Sequence, residues 1–351
     1  MTSLPAADAL SYPYAQTQPA RGASIELLPG VRWLRMGLPF ALDHINLWLL
    51  DDTIDGVRGW TLVDCGIDSA PTREAWEQVF AAELQGRPVL RVVVTHMHPD
   101  HVGLAHWLTA RWNCLLWMSA TDYAVASMAA RGCMTIGGEP MAAHFAAHGL
   151  RDETVLQAIR QRTDYYTGLV PAMPPRFRRL QHGDVLRIGG RDWRCVVGFG
   201  HAPEHISLHC AQDDVFIAGD MLLPRISTNV SVNDNEPLSN PLQQFLDSLE
   251  RFATLLDNGT LVLPSHGLPF RGALTRIAQL QQHHQQRLAE VVAACASAQT
   301  AADLLPVLFK RPLDVHQLTF AMGESIAHLH KLWFDGQLRR IDDGGVYRFV
   351  R

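Results

Sequence analysis

Long apolar runs are missing from this 351-residue chain: no stretch approaches the ~20 residues that a membrane-spanning helix requires. Blocks of like charge are missing too. The 30 Lys and Arg and 35 Asp and Glu are scattered, for a net charge of −5, which argues against a nucleic-acid-binding surface as the main feature. The N-terminus carries Pro, Ala, Tyr and Gln but no basic region ahead of an apolar core. No secretory leader is therefore expected, and a cytoplasmic location is. Cysteine is sparse: the six, at 65, 114, 133, 195, 210 and 295, are widely separated and sit mostly inside apolar runs. That distribution predicts buried, reduced thiols rather than a disulfide framework. What remains is an ordinary globular composition, long enough for roughly two domains.

Against that background one stretch stands out: Thr95-His96-Met97-His98-Pro99-Asp100-His101. It follows Arg91-Val92-Val93-Val94, a β-branched run that reads as a buried strand, so its ligand-type side chains sit where a strand ends. Three histidines and an aspartate this close could form one metal cluster or two. His96 and His98 share one side by strand alternation, and Asp100 and His101 lie past the proline.

Short β-like runs at Ile25–Leu28, Ile45–Leu50 and Trp60–Val63 precede it, the last ending in Asp64-Cys65-Gly66. A helix is expected over Pro71–Ala82 and another over Val102–Trp112, with a strand at Cys114–Met118. Strand, strand, helix, strand is an α/β opening. From Thr121 to about Arg178 the pattern turns helical and Ala- and Met-rich, an inserted section placed where a lid would have to be. Strands resume at Val185–Ile188 and Trp193–Val197, leading to Gly198-Phe199-Gly200-His201, where glycine permits a tight turn. Val215–Ala218 ends in Gly219-Asp220, and Leu261–Leu263 in Pro264-Ser265-His266-Gly267. Separate strands thus repeatedly end in His or Asp beside Gly or Pro.

Asp64, His96-x-His98-x-Asp100-His101, His201, Asp220 and His266, in this order over about 200 residues, resemble the motifs of metallo-β-lactamase-fold hydrolases. The resemblance implies a four-layer αββα sandwich of the α/β class, with the site at one edge of two sheets. It implies that His96, His98 and His201 hold one metal, that Asp100, His101 and His266 hold a second, and that Asp220 bridges them. Asp64 would orient a ligand from behind. Mixed imidazole and carboxylate ligands suit two Zn²⁺, with Fe or Mn able to occupy such a site. Paired ions can bring the pKa of a shared water near neutrality and polarise a scissile carbonyl or phosphoryl oxygen. Asp100 and Asp220 would then carry catalytic as well as ligand roles. An aspartate at position 220 is similar to the thioesterase- and hydroxyacylglutathione-hydrolase-like branch and to the nuclease-like branch alike, and lowers the expectation of antibiotic hydrolysis.

Around this set, His205, Arg225, Asn229, Tyr165 and Tyr166 are candidates for substrate contact, with His44 a minor one; an Arg at 225 would suit a carboxylate or phosphate. Residues 1–20 read as a loose tail, 21–270 as the catalytic domain with its insertion at about 121–178, and 271–351 as a small C-terminal domain. Its helices and the hairpin around Asp342-Asp343-Gly344-Gly345 resemble the winged helix appended to one branch of the superfamily. From Ala301 to Arg351 seven basic and six acidic residues leave a net of about +1, which disfavours nucleic acid and favours packing on the catalytic domain or a homodimer. The pairs His144/His148, His283/His284 and His328/His330 are expected on helix surfaces. The expected activity is hydrolysis of a small acyl ester, most plausibly a thioester of coenzyme A or glutathione. A phosphodiesterase or endoribonuclease, a lactonase, and a non-catalytic binding protein remain the alternatives.

Overall fold

The computed structural model describes residues 10–134 and 136–351. The first nine positions of the expected tail and Thr135 lie outside the described residues. Positions 10–20 are docked rather than loose: Leu10 is buried, Ser11 exchanges backbone hydrogen bonds with Arg271, and the Tyr14 hydroxyl donates to Leu27 O at 2.7 Å.

Two sheets form the centre. The first is seven-stranded, in sequence order: β1 (Ser24–Leu28), β2 (Val31–Gly37), β3 (His44–Ile54), β4 (Val57–Val63), β5 (Val89–Val93), β6 (Leu115–Met118) and β7 (Phe177–Arg179). The second is five-stranded: β8 (Val185–Ile188), β9 (Arg191–Gly198), β10 (His205–Cys210), β11 (Val215–Gly219) and β12 (Leu261–Pro264), in the order β12-β11-β10-β9-β8. Period-two alternation decides what each face meets. On β3, Trp48 and Leu50 point between the sheets, while Leu47 and Leu49 point to the outer helices. On β9, Cys195 and Val197 face the first sheet and Val196 faces away.

Helices cover both outer faces, completing four layers. Against the first sheet lie α1 (Ala70–Ala82), the short α2 (Pro99–Val102), α3 (Ala105–Trp112) and α4 (Ala120–Ala130). The expected helix over 102–112 is split, because Gly103 approaches Gly66 and Ile67 so closely that a Cβ there would lie 2.7 Å from Gly66 O. The insertion is helical as expected: α4 is followed by α5 (Gly138–Ala147), α6 (Glu153–Gln161) and α7 (Tyr165–Leu169). On the far side the second sheet packs under α8 (Pro241–Ala253) and α9 (Ala273–Ala294).

The C-terminal segment adds the one-turn α10 (Leu305–Leu308), α11 (Val315–Phe334) and a hairpin of β13 (Arg339–Asp343) and β14 (Val346–Val350) turning at Gly344-Gly345. Its core is not separate. Leu329, Leu332 and Phe349 belong to the same buried cluster as Phe216 of β11 and Phe252 of α8. Among the described residues no helix is long and apolar enough to cross a membrane.

Three histidine expectations are corrected by this packing. His148, His284, His328 and His330 are buried, because α5, α9 and α11 press their histidine faces together; the His284 and His328 rings lie 5.5 Å apart. Of the six cysteines four are buried, Cys114 is half-buried and Cys133 is exposed; all are free thiols.

Candidate metal centre

The ligand-type residues gather at the edge where strands of both sheets end together. β5 delivers Thr95 and His96, β9 leads to His201, β11 to Asp220 and β12 to His266. Two glycines make this approach feasible. A Cβ on Gly219, at φ +56°, would lie 2.2 Å from His205 Nε2, and one on Gly200, at φ +97°, would lie 2.3 Å from Pro241 O. The edges are laced by backbone bonds: Ile206 N donates to Thr95 O at 2.8 Å, and Asn46 N to Ser265 O at 2.7 Å.

Two sets of donor atoms converge. His96, His98, His201 and Asp220 form one, and Asp100, His101 and His266 the other; within each, the nearest ligand atoms lie within 4.8 Å of one another. In the first, His96 Nε2 is 2.8 Å from His98 Nδ1 and 3.2 Å from His201 Nε2. In the second, His266 Nε2 is 3.3 Å from Asp100 Oδ2, and His101 Nε2 is 3.6 Å from it. Asp220 reaches both: Oδ2 stands 3.3 Å from His201 Nε2 and 3.6 Å from His101 Nε2, and Oδ1 stands 3.4 Å from His266 Nε2.

Groups behind the ligands fix which ring nitrogen faces the centre. The Nδ1 of His201 lies 2.8 Å from Asn229 O and that of His266 lies 2.7 Å from His44 O. A carbonyl only accepts, so each Nδ1 carries a proton and each Nε2 is the nitrogen that faces inward. Asp64 treats His101 likewise: its Oδ2 lies 2.8 Å from His101 Nδ1, and its Oδ1 accepts from Thr95 N at 2.8 Å. Asp64 holds φ at +62°, an uncommon backbone for a non-glycine residue and one that aims its carboxylate under the ligands.

Burial shapes the charge. It holds His98 down at about 3, with nearby His201 adding to the effect, and pushes His96 lower as well, so both keep lone pairs available. Burial opposes charge on His266 too, yet the Asp220 and Asp100 carboxylates carry its pKa up to about 10. Two atoms at the middle, His101 Nε2 and Asp220 Oδ1, are buried with no hydrogen-bond partner. Such atoms are costly unless a further group satisfies them. Together with an imidazole and carboxylate donor set, they fit divalent cations.

The substrate candidates fare differently. His205 is fully buried and stacks on His96 at 4.9 Å, with its Nε2 accepting from Asp220 N at 3.2 Å; it supports the ligands and does not line the cleft. Tyr166 is buried and donates to Met97 O at 2.5 Å, bracing the backbone between His96 and His98. Asn229 contributes its carbonyl to His201 while its side chain accepts from Ser231. His44 likewise contributes its carbonyl to His266, and its Nε2 accepts from Gly267 N at 2.9 Å. Arg225 is exposed, and Tyr165 is half-buried at the rim.

Two further residues went unread. Asp122 is buried and accepts from Met97 N at 2.8 Å and Glu204 N at 2.7 Å, tying the His96–His98 segment to the loop after His201. Burial, outweighing these bonds, pushes its pKa up to about 6. Its sequence signal, Ser119 three residues earlier, is that of a helix start, and Asp122 N does donate to Ser119 Oγ at 3.3 Å. Asn46 is also buried and donates to Pro264 O and Gly267 O, both at 2.8 Å, flanking His266; a lone Asn in a strand carries no such signal.

Stacked sheets whose joined edges present paired His and Asp clusters define a metallo-hydrolase. The chain belongs to the metallo-beta-lactamase superfamily, whose family model matches residues 42–266; a second model, the metallo-beta-lactamase-like C-terminal domain, matches residues 288–351. It is similar to a beta-lactamase domain protein from Burkholderia ambifaria, with 54% identity, a TM-score of 0.93, and coverage of 98% of this chain and 99% of that one. The probable metallo-hydrolase YqjP of Bacillus subtilis is 22% identical over 327 residues, 90% of this chain and 96% of the relative. The acyl-coenzyme A thioesterase MBLAC2 of Gallus gallus is 26% identical over 246 residues, 68% of this chain and 77% of the relative.

Proposed function

We propose that this protein is a dinuclear metal-dependent hydrolase of acyl esters, with thioesters the favoured substrates. The observation that carries the dinuclear reading is the Asp220 carboxylate, which reaches both ligand groups, Oδ2 standing near His201 and His101 and Oδ1 near His266. His96, His98 and His201 would hold one ion and Asp100, His101 and His266 the other, with Asp220 shared. Zn²⁺ suits this donor set, and Fe or Mn is compatible with it. A bound pair of divalent ions supplies Lewis acidity and a water acidic enough to react at neutral pH.

The chain's own residues do the rest. Asp64, Asn229 O and His44 O orient three imidazoles, so little reorganisation is needed as charge develops. The insertion is pinned beside the centre by the Tyr166 hydroxyl, which donates to Met97 O between His96 and His98. The similarity to an acyl-coenzyme A thioesterase and the Ala- and Met-rich insertion both support an organic acyl substrate over a bare phosphodiester. The near-neutral C-terminal segment, packed into the shared core, supports a structural role for it. A cytoplasmic setting, and self-association as a homodimer, belong to the same reading.

Elemental analysis of the purified protein, joined to an activity screen over thioesters, lactones, β-lactams and RNA, tests this. The expected result is close to two ions per chain and turnover of thioesters. Turnover of single-stranded RNA with none of thioester or lactone would overturn it.

A further inference from the structure

Arg162 stands within the insertion, between α6 and α7, and its surroundings differ from those of Arg160 two residues earlier. Arg160 is paired with Glu139 and Glu153 on the outer surface. Arg162 is half-buried and, among the described residues, pairs with no carboxylate. Its guanidinium lies over the Tyr165 ring, 3.8 Å from the centroid, and Nη2 donates to His316 Nδ1 at 2.9 Å. His316, on the first turn of α11, stacks on Phe40 at 5.7 Å and meets Phe320 at 5.0 Å. Three distant segments therefore build one cluster: the β2–β3 loop, the insertion and α11.

The cluster borders the metal centre. Tyr165 opens α7, which packs on α2, the helix carrying Asp100 and His101. The Asp100 charge reaches Tyr165, and the next residue, Tyr166, bonds the backbone between two ligands. A guanidinium offers five N–H donors in a planar fork, and His316 takes one. Holding such a group partly out of water without a carboxylate is costly unless something anionic completes it. The Tyr165 face on one side and the His316 nitrogen that accepts from Nη2 fix the plane of the fork, as recognition of a planar or tetrahedral anion requires.

We propose that Arg162, held by Tyr165 and His316, is a subsite for an anionic group, carboxylate or phosphate, carried by the substrate away from the bond cleaved at the metal centre. The proposal rests on the hydrolase reading for which bond is cleaved, and Arg162 is a specificity-determining residue rather than a catalytic one. It moves to position 162 the anion-binding role that the sequence suggested for Arg225.

Three thioesters of one acyl group separate the anion sources: on pantetheine, which is neutral, on coenzyme A, which adds phosphates, and on glutathione, which adds carboxylates. With the metal-loaded full chain, Arg162→Met is expected to raise KM about tenfold or more for coenzyme A or glutathione thioesters, whichever is the better substrate. The pantetheine thioester is expected to stay within about twofold, and Arg162→Lys to restore part of the loss. Equal losses on all three substrates, or none on any, would overturn the proposal. A second measurement does not depend on turnover: modification of Arg162 by phenylglyoxal, read by mass spectrometry against exposed Arg225. Millimolar inorganic phosphate or glutarate is expected to slow modification at Arg162 selectively. If no thioester is hydrolysed but protection is seen, the thioester reading fails and the subsite stands; if neither anion protects, the subsite is overturned.

Discussion

Asp64 shows how much of this centre depends on residues that face away from substrate. Its carboxylate accepts from Thr95 N and lies against His101 Nδ1, so it fixes both the turn and the tautomer of one ligand. Asn is among the few residues that tolerate a φ near +62°, so Asp64→Asn keeps the backbone and changes only the acceptor. The amide has one acceptor oxygen and an NH₂ that cannot accept from His101, which frees the ring to reorient. Metal affinity is expected to drop about 10- to 100-fold, the usual cost of removing such a partner. Competition against a graded chelator, followed by elemental analysis, measures it; an unchanged affinity would mean that Asp64 braces only the Thr95 backbone.

The α9–α11 interface holds its histidines neutral by burial. His284 is held down at about 3 and His328 at about 4, against 6.5 when free, chiefly because both are out of water. Between pH 6.5 and 4 the unfolded chain therefore takes up protons that the folded chain refuses, so stability rises with pH and is lost on acidification through this window. At pH 5 the two together cost on the order of 2–4 kcal/mol. The double variant His284→Gln, His328→Gln is expected to release close to two fewer protons' worth of pH slope in urea midpoints between pH 5 and 6.5. An unchanged slope would place the acid lability elsewhere. That these residues read as surface histidines from sequence has a physical cause. Local spacing shows which residues share a helix face, but not which neighbour covers it. The strand ends were legible because β-branched runs and ligand-type side chains meet there within a few residues, as at Val92 to His101. β2 escaped notice although Val31, Trp33 and Leu34 are buried on it, and so did α8, whose apolar positions 242, 245, 249 and 252 follow helical spacing. Asp122 and Asn46 were beyond local reading, since each acts across a gap that only the stacked sheets close.

At the scale of the whole molecule, the small C-terminal domain shares its core with the second sheet and its helices. Phe349, on the last strand, is fully buried in the cluster that also contains Phe216 and Val262 of the second sheet and Leu249 of α8. Its strand is tied inward by mutual backbone bonds between Phe349 and Gln299, at 2.7 and 3.0 Å. The family boundary at residue 288 falls inside α9, which runs unbroken from Ala273 to Ala294 and so carries load from one part to the other. Removing the ring by Phe349→Ala deletes a large side chain from packed surroundings, a change that costs about 3–5 kcal/mol. If the segment folded separately, that loss would fall on residues near the C-terminus alone, and the metal centre would survive to its former temperature. A shared core makes the opposite outcome the expected one: a single cooperative transition shifted to lower temperature, with ion release and the tryptophan fluorescence of the buried core moving together. Two separated transitions in calorimetry, the upper one at the original temperature and coincident with ion release, would show that the two parts are energetically independent.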